Sequence, residues 1–306
     1  MQEGCGRMSW KDLVIAVVAG DNREQEIARC AVRAGAKVRC FGFPWPEGGI
    51  EGAYHAADAA DALKGADVAL FPIPGITPEG ALFAPKLGSK IIPTREMMAG
   101  MRRPGHIILG WADSNLKAIC EELKITIHEY EWDVDLMLLR GPAIVEGVLK
   151  AIIENTDITI HRSRICLVGH GTIGALLART LVSLGAYVTV AARNPVQRAA
   201  AQAAGANSVT LEELERVLPE TDILVGSVPK QVVKEKELQA LPKHALVVDV
   251  AAPPGSIDQA SAKALGLKTI WARGMGSRAP VTVGRSQWIG ISRRIEDILK
   301  ARSGGS

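Results

Sequence analysis

Several signatures of common chemistries are missing from this 306-residue chain. Its five cysteines, Cys5, Cys30, Cys40, Cys120 and Cys166, include no C-x-x-C pair. An odd count without paired spacing argues against a disulfide framework or a zinc ribbon and leaves reduced thiols. Like-charged residues never run to five in a row, and the net charge is only +3, so a nucleic-acid-binding stripe is not expected. No apolar run approaches the roughly 20 residues needed to cross a bilayer. The first residues include Glu3 and hold no apolar core before Leu13, so they do not read as a signal peptide. These absences lead to an expected cytoplasmic protein with no membrane or nucleic-acid partner. The six histidines, His55, His106, His128, His161, His170 and His244, lack metal-ligand spacing, and no metal is expected. A nucleophile elbow and a P-loop are also missing.

What is present is apolar and periodic. Hydrophobic residues make up 47% of the chain, enough for globular cores. At about 150 residues per domain, the length suggests two of them. After a loose tail over residues 1–10, Leu13–Ala19 reads as a buried parallel strand and residues 22–33 as a helix stopped by Gly35. Lys37–Phe41 is the next strand, and the Gly- and Pro-rich residues 42–54 form a loop. Short strands are predicted at 67–71, 90–92, 106–109 and 125–127, with helices near 58–64, 79–84 and 114–123. A long helix is expected over 142–155, with Pro142 in its first turn. The alternation then restarts. Strands fall at 164–168, 187–191, 223–225, 245–250 and 268–270, and helices at 172–184 and 195–203. One amphipathic helix covers residues 284–301.

The fold class expected is α/β, with two Rossmann-like doubly wound parallel-sheet domains joined by long interdomain helices. The first domain would be discontinuous, residues 1–141 plus 285–306, serving substrate or partner. Residues 142–284 would be the dinucleotide-binding domain.

That assignment rests on Gly169-His170-Gly171-Thr172-Ile173-Gly174. A G-x-G-x-x-G alone is weak, but this one follows an apolar strand and opens an amphipathic helix. Gly169 permits the tight turn, Gly171 the close approach of pyrophosphate, and Gly174 close strand–helix packing. The helix start offers free N–H groups and partial positive charge. About 20 residues on, an NAD site usually carries a carboxylate for the ribose 2′-hydroxyl. Here Ala192-Arg193-Asn194 stands there, and no acidic residue occurs from Ala175 through Leu211. Arg193 suits a 2′-phosphate, so NADP is favoured over NAD, although Arg193 could also be a solvated surface residue. Ser227-Val228-Pro229 and Val250-Ala251, after two later strands, are further expected cofactor contacts. The first domain's corresponding turn, Ala19-Gly20-Asp21-Asn22-Arg23-Glu24, carries carboxylates that cap helices and repel phosphate, so no second dinucleotide site is expected there. Acid–base chemistry of the 2-hydroxyacid dehydrogenase kind needs an Arg after the fifth strand and a downstream His–Glu pair. Residues Ala251–Gly255 hold no Arg, and no His follows His244.

The sequence resembles the A subunit of the dipicolinate synthases of spore-forming bacteria. The segments that carry the likeness are Val17–Arg23, Val145-Glu146-Gly147, Asn155–His161, the glycine loop, Gly185–Val188, Ala192-Arg193 and Gly274–Gly284. It departs from the family pattern at Ala19 and Glu24, where the family tends to have Gly and Gln, and at Gly276 and Val281. The resemblance implies NADP-dependent oxidation of dihydrodipicolinate, or of its hydroxy-tetrahydro precursor, to pyridine-2,6-dicarboxylate during sporulation. It also implies that the partner is a flavoprotein-like B subunit, in a homo- or hetero-oligomer. A dicarboxylate substrate needs cationic and N–H or O–H donors, and Arg23, Ser277, Arg278 and Thr282 are the candidates. Glu146 is the candidate for a ring proton. Arg278 as a surface charge and Glu146 as a solvated helix carboxylate are the competing structural readings. Two functional alternatives remain open: a non-catalytic dinucleotide-binding subunit, and an NADP-dependent oxidoreductase acting on another small carboxylic acid.

Overall fold

The structure, a computed structural model, describes residues 9–304. Residues 1–8 of the expected tail, Cys5 among them, lie outside the described part, and Trp10–Asp12 form one 3₁₀ turn. Cys30, Cys40, Cys120 and Cys166 are buried free thiols. The chain divides into two compact units. One comprises the chain up to Arg140 and from Ala279 onward, and the other is Gly141–Arg278. Each contains a six-stranded parallel sheet.

In the first unit the strands are β1 (Val14–Val18), β2 (Lys37–Phe41), β3 (Ala53–His55), β4 (Val68–Leu70), β5 (Gly105–Leu109) and β6 (Ile125–Glu129). Their spatial order is β3-β2-β1-β4-β5-β6. The helices between them are α1 (Asn22–Arg33), α2 (Ala59–Leu63), α3 (Arg95–Ala99) and α4 (Ser114–Glu122). Strand β1 is a continuous apolar run because it is covered on both faces, with Ile15 to Val18 fully buried. Three expectations fail here. Residues 90–92 form no strand; Ile91 is nevertheless buried, and its carbonyl accepts the Leu82 N–H at 2.8 Å. The helix expected over 79–84 is a turn followed by an antiparallel bridge between Ile76 and Leu82. Conversely, the region read as a loop contains β3, an edge strand paired only with β2.

Helix α5 (Val134–Asn155) starts two turns before the expected position, with Pro142 inside it. Proline removes one helical N–H donor, but the upstream turns are fastened by other contacts. The Leu136 carbonyl accepts from Gln287 Nε2 at 3.2 Å, and Arg140 pairs with Glu131 at 2.9 Å. The last helix, α11 (Pro280–Gly304), packs on α1. Their approach is close: a Cβ at Gly284 would lie 2.8 Å from both the Arg23 carbonyl and Glu26 Cβ. Arg285 Nε donates to Glu26 Oε1 at 2.9 Å across the same contact.

The second unit runs β7 (Arg164–Val168), α6 (Thr172–Ser183), β8 (Tyr187–Ala191), α7 (Pro195–Ala203), β9 (Asn207–Val209), α8 (Leu214–Val217), β10 (Ile223–Gly226), α9 (Glu235–Leu238), β11 (Leu246–Asp249), α10 (Gln259–Ala264) and β12 (Lys268–Trp271). The sheet order is β12-β11-β10-β7-β8-β9. Apolar layers cover both of its faces, one including Leu167, Leu177 and Val248, the other Val168, Leu224 and Val247. Both units thus have the expected doubly wound arrangement. Strand order reverses between β1 and β4 and between β7 and β10, and the carboxyl ends of strands beside such reversals are where open α/β sheets bind ligands.

Candidate functional site

At the β7/β10 reversal the second unit has a cleft of about 510 Å³. Its lining includes Gly169, His170 and Gly171, then Ala192, Arg193 and Asn194, then Ser227, Val228 and Pro229. Ala191, Gln197, Leu211 and Val232, which no sequence motif marked, complete the wall.

The three glycines differ in what surrounds them. Gly169 has φ +98°, and a Cβ there would lie 2.6 Å from Val228 Cγ2 and 2.7 Å from Ser227 Oγ. A Cβ at Gly174 would meet the Gly169 carbonyl oxygen at 2.5 Å. At Gly171 a Cβ would meet nothing within 4 Å. The first two glycines are required by the fold, whereas the third keeps an open cradle above the helix start. Gly171 is also the N-cap of α6 and supplies no side-chain acceptor. The first N–H groups of α6 are therefore not capped by a side chain, as a phosphate-binding helix start requires. Helix α1 is the contrast, since the Asp21 carboxylate accepts from Arg23 N at 3.0 Å.

The Ala192–Asn194 wall is fixed by Arg198, whose Nη1 donates to the carbonyls of Ala192 (2.8 Å) and Arg193 (2.7 Å). Asn194 caps α7 through Val196 N at 2.9 Å. Arg193 itself is exposed. His170 is buried, its Nε2 has no hydrogen-bond partner, and burial holds its pKa below the ordinary imidazole value.

Beneath the wall lies an anchor without a sequence motif, Asp249 at the end of β11. Its fully buried carboxylate accepts from Ala251 N (3.0 Å), Ser256 N (2.7 Å) and Ile257 N (2.9 Å). Burial raises its pKa, and the backbone donors oppose that rise. Ser256 Oγ in turn donates to Val228 O and accepts from Val228 N, both at 2.7 Å. The only hint in the sequence was a carboxylate ending an apolar strand. Asp249→Ala should orphan three amides and destabilise the unit by about 2 kcal/mol. It should also speed hydrogen exchange at Ser256 and Ile257, and unchanged exchange there would remove Asp249 as the anchor.

Other expected site residues stand elsewhere. Thr172, Ile173 and Gly174 form the first turn of α6 and do not line the cleft. Val250 and Ala251 are also outside its lining. The Ala251 N–H is bonded to Asp249, and its carbonyl accepts from Trp271 Nε1 at 3.1 Å. Glu146 and Arg278, expected in separate roles, form an ion pair with each other within the second unit, both partly exposed. Ser277 is exposed in a 3₁₀ turn, and Thr282 is exposed in the first turn of α11.

In the first unit Arg23 is buried. It grips Asp21 in a fork, Nε to Oδ1 at 2.9 Å and Nη2 to Oδ2 at 2.8 Å. Beside it Glu24 is almost fully buried and links two loops, accepting from Asp21 N at 2.7 Å and Ile73 N at 3.0 Å. Burial pushes the Glu24 carboxyl up to about 7, against the pull of the Arg23 charge. Among the described residues no cluster of three or more His, Cys, Asp or Glu could hold a metal ion. No described helix is long and apolar enough to cross a membrane.

Comparison with known proteins assigns both units. Residues 14–131 match the family described as the N-terminal domain of the dipicolinate synthase A subunit. Residues 146–272 match the NAD binding domain of D-isomer specific 2-hydroxyacid dehydrogenases. The dipicolinate synthase A subunit of Bacillus subtilis (strain 168) is 28% identical over 276 residues, covering 89% of this chain and 92% of the relative. The crystal structure of the dipicolinate synthase A subunit from Bacillus halodurans matches with a TM-score of 0.83 and 25% identity, covering 94% of this chain and 98% of that one. The corresponding crystal structure from Bacillus subtilis matches with a TM-score of 0.81 and 26% identity, over 95% and 97% of the two chains. The second unit carries a domain for a nicotinamide dinucleotide, and the chain is similar over nearly its whole length to dipicolinate synthase A subunits.

Proposed function

We propose that this chain is an NADP-dependent oxidoreductase that converts dihydrodipicolinate, or its hydroxy-tetrahydro precursor, to pyridine-2,6-dicarboxylate, working with a flavoprotein-like B subunit in the cytoplasm of a sporulating cell. The observation that carries the cofactor half is Arg193, in the cleft wall where an NAD site places a carboxylate. Gly169 and Gly171 would hold the pyrophosphate against the start of α6. The carbonyls tied down by Arg198 would keep the Ala192–Asn194 corner in place. NADP, when bound, supplies the hydride acceptor. Oxidising a dihydropyridine removes one hydride and one proton and gains aromaticity, so the protein's share of the chemistry is chiefly positioning.

The substrate half rests on the family resemblance. The Glu146–Arg278 pair sets a proton acceptor beside a cation suited to a carboxylate, with Ser277 adjacent in sequence. In the first unit, Arg23 keeps Nη1 clear of its fork with Asp21, and Thr282 is exposed. Arg23→Ala and Arg278→Ala test these contacts by dipicolinate binding.

Titration of the purified chain with NADPH and NADH, followed by fluorescence, tests the cofactor assignment. NADPH should bind more tightly. Arg193→Ala should weaken NADPH by about tenfold or more, the loss of one charged phosphate contact, and leave NADH within about twofold. Equal loss for both nucleotides, or no loss, would remove NADP specificity from Arg193. A second reading, a dinucleotide-binding subunit without chemistry of its own, is favoured by one feature: Glu146, Arg278 and Arg23 all spend their charges on protein partners. Turnover by the isolated chain against turnover with the flavoprotein-like partner separates the two.

A further inference from the structure

The first unit has a cavity that the dinucleotide reading does not use. It measures about 570 Å³ and is bounded by β5, β6 and the second half of α11. That volume is within the range of small-molecule sites. His106 on β5 and His128 on β6 meet in its wall, Nδ1 to Nε2 at 3.2 Å. One ring must donate to the other. In either neutral tautomer, the pair then keeps one further ring N–H that the bond does not use.

Two arginines of α11 stand beside them. Arg294 is anchored by the Glu129 carbonyl (3.0 Å), Asp133 (2.8 Å) and the Gly290 carbonyl (3.2 Å). Three bonds leave two of its five N–H donors for a ligand. Arg302 is oriented by the Pro104 carbonyl (2.8 Å) and by Asp67 (3.2 Å), which also pairs with Arg102. Among the described residues Asp297 is the only carboxylate in the lining; it is solvent-exposed and turned to Lys300 at 3.3 Å. Asp133 and Asp67 balance the two guanidiniums, and the floor is apolar, made of Ile298, Ala301 and Pro104.

We propose that this cavity is a second small-molecule site, for an organic carboxylate with a compact apolar body. The carboxylate takes N–H donors from Arg294 and the imidazole pair, and the body lies on Ile298 and Ala301. The electrostatics agree. Burial foremost, and then His128 and Arg302, hold His106 down to about 4 against the opposing pull of Asp67; burial and Arg294 lower His128. Both rings are therefore neutral near pH 7, so the site selects its occupant through N–H donors, which a carboxylate accepts. A metal ion is a poorer occupant, since no third His, Cys, Asp or Glu among the described residues completes a site.

The test uses the full chain and the Cε1–H NMR signals of His106 and His128, assigned with His106→Gln and His128→Gln. The probes are benzoate, its neutral isostere benzamide, and inorganic phosphate. Benzoate should shift both signals saturably, while benzamide and phosphate should leave them in place. Arg294→Gln should weaken benzoate about tenfold, the loss of one charge-assisted hydrogen bond. It should leave dinucleotide binding unchanged. If Arg294→Gln does not fold, the loss of benzoate binding in the His106→Gln, His128→Gln double variant, read by calorimetry, decides instead. No shift by benzoate up to roughly 10 mM, the weak end of specific affinity, overturns the proposal. So does an equal response to phosphate or to benzamide.

Discussion

Gly171→Asp should abolish dinucleotide binding and leave the fold intact. A side chain at this position meets nothing within 4 Å, so the folded chain has room for it. Its backbone is extended, with φ −80°, a conformation any residue adopts. On the proposed reading, the same open space would take the pyrophosphate at the uncapped start of α6. A carboxylate there excludes the phosphate by volume and repels it by charge. At a few ångströms between like charges near a surface, the repulsion alone is several kcal/mol, or more than about 100-fold in affinity. The melting temperature should move by no more than about 2 °C.

Gly174→Ala is the counter-experiment. Its Cβ would press on the Gly169 carbonyl at 2.5 Å, so the strand–helix packing must give way and stability must fall along with affinity. If Gly171→Asp unfolds the second unit, or if it binds NADPH normally, the cradle has been misassigned. Loss of binding with an unchanged melting temperature cannot come from a damaged fold.

Much of this was legible in the sequence because the second unit's elements are strongly periodic and bounded by glycines. Strands β7 and β8 and helix α7 have the bounds the pattern predicts. The misses have physical reasons. Pro142 was read as a helix start because proline suits a first turn, but contacts distant in sequence hold the preceding two turns helical: Gln287 lies 151 residues from Leu136. Strand β3 is three residues long and pairs on one side only, too little to leave an alternating pattern. Of residues 90–92 only Ile91 is buried, and the segment has no ladder to join. In the site, glycine spacing marked the loop, whereas Asp249 and Ser256 act through backbone groups brought together by folding and leave no spacing rule. Charged residues were the hardest to read. Sequence alone gives Glu146, Arg278 and Arg23 as free agents, whereas in the folded chain each already has a partner.

Glu24 carries the other large expected effect. Its carboxyl accepts amides from the loops after β1 and β4, which meet at the first unit's strand-order reversal. The loop it holds begins with Ala19 at φ +66° and Gly20 at φ +121°, and it leads into Arg23 in the first turn of α1. Glu24→Ala leaves two buried amides without acceptors beside a cavity and should destabilise the first unit by about 3 kcal/mol or more. For a unit of this size that is a fall of roughly 6–12 °C.

The pH dependence is more specific. The carboxyl sits near 4.5 in the unfolded chain and near 7 in the folded one. Between those values the folded state keeps a proton that the unfolded state has released. Glu24 therefore stabilises the fold fully below about pH 4.5, and the contribution is lost as pH rises through 7. Glu24→Gln has no such proton. The difference in stability between wild type and Glu24→Gln should shift against the wild type by up to about 3 kcal/mol from pH 5 to pH 8. Comparing the two proteins cancels every other titrating group, including Glu26, whose depressed pKa acts in the opposite direction. A difference that stays constant from pH 5 to pH 8 would show that Glu24 keeps one charge state throughout. The Arg23 guanidinium would then be winning over burial, and the loop that leads into α1 would rest on a permanent buried ion cluster with no proton-sensitive latch.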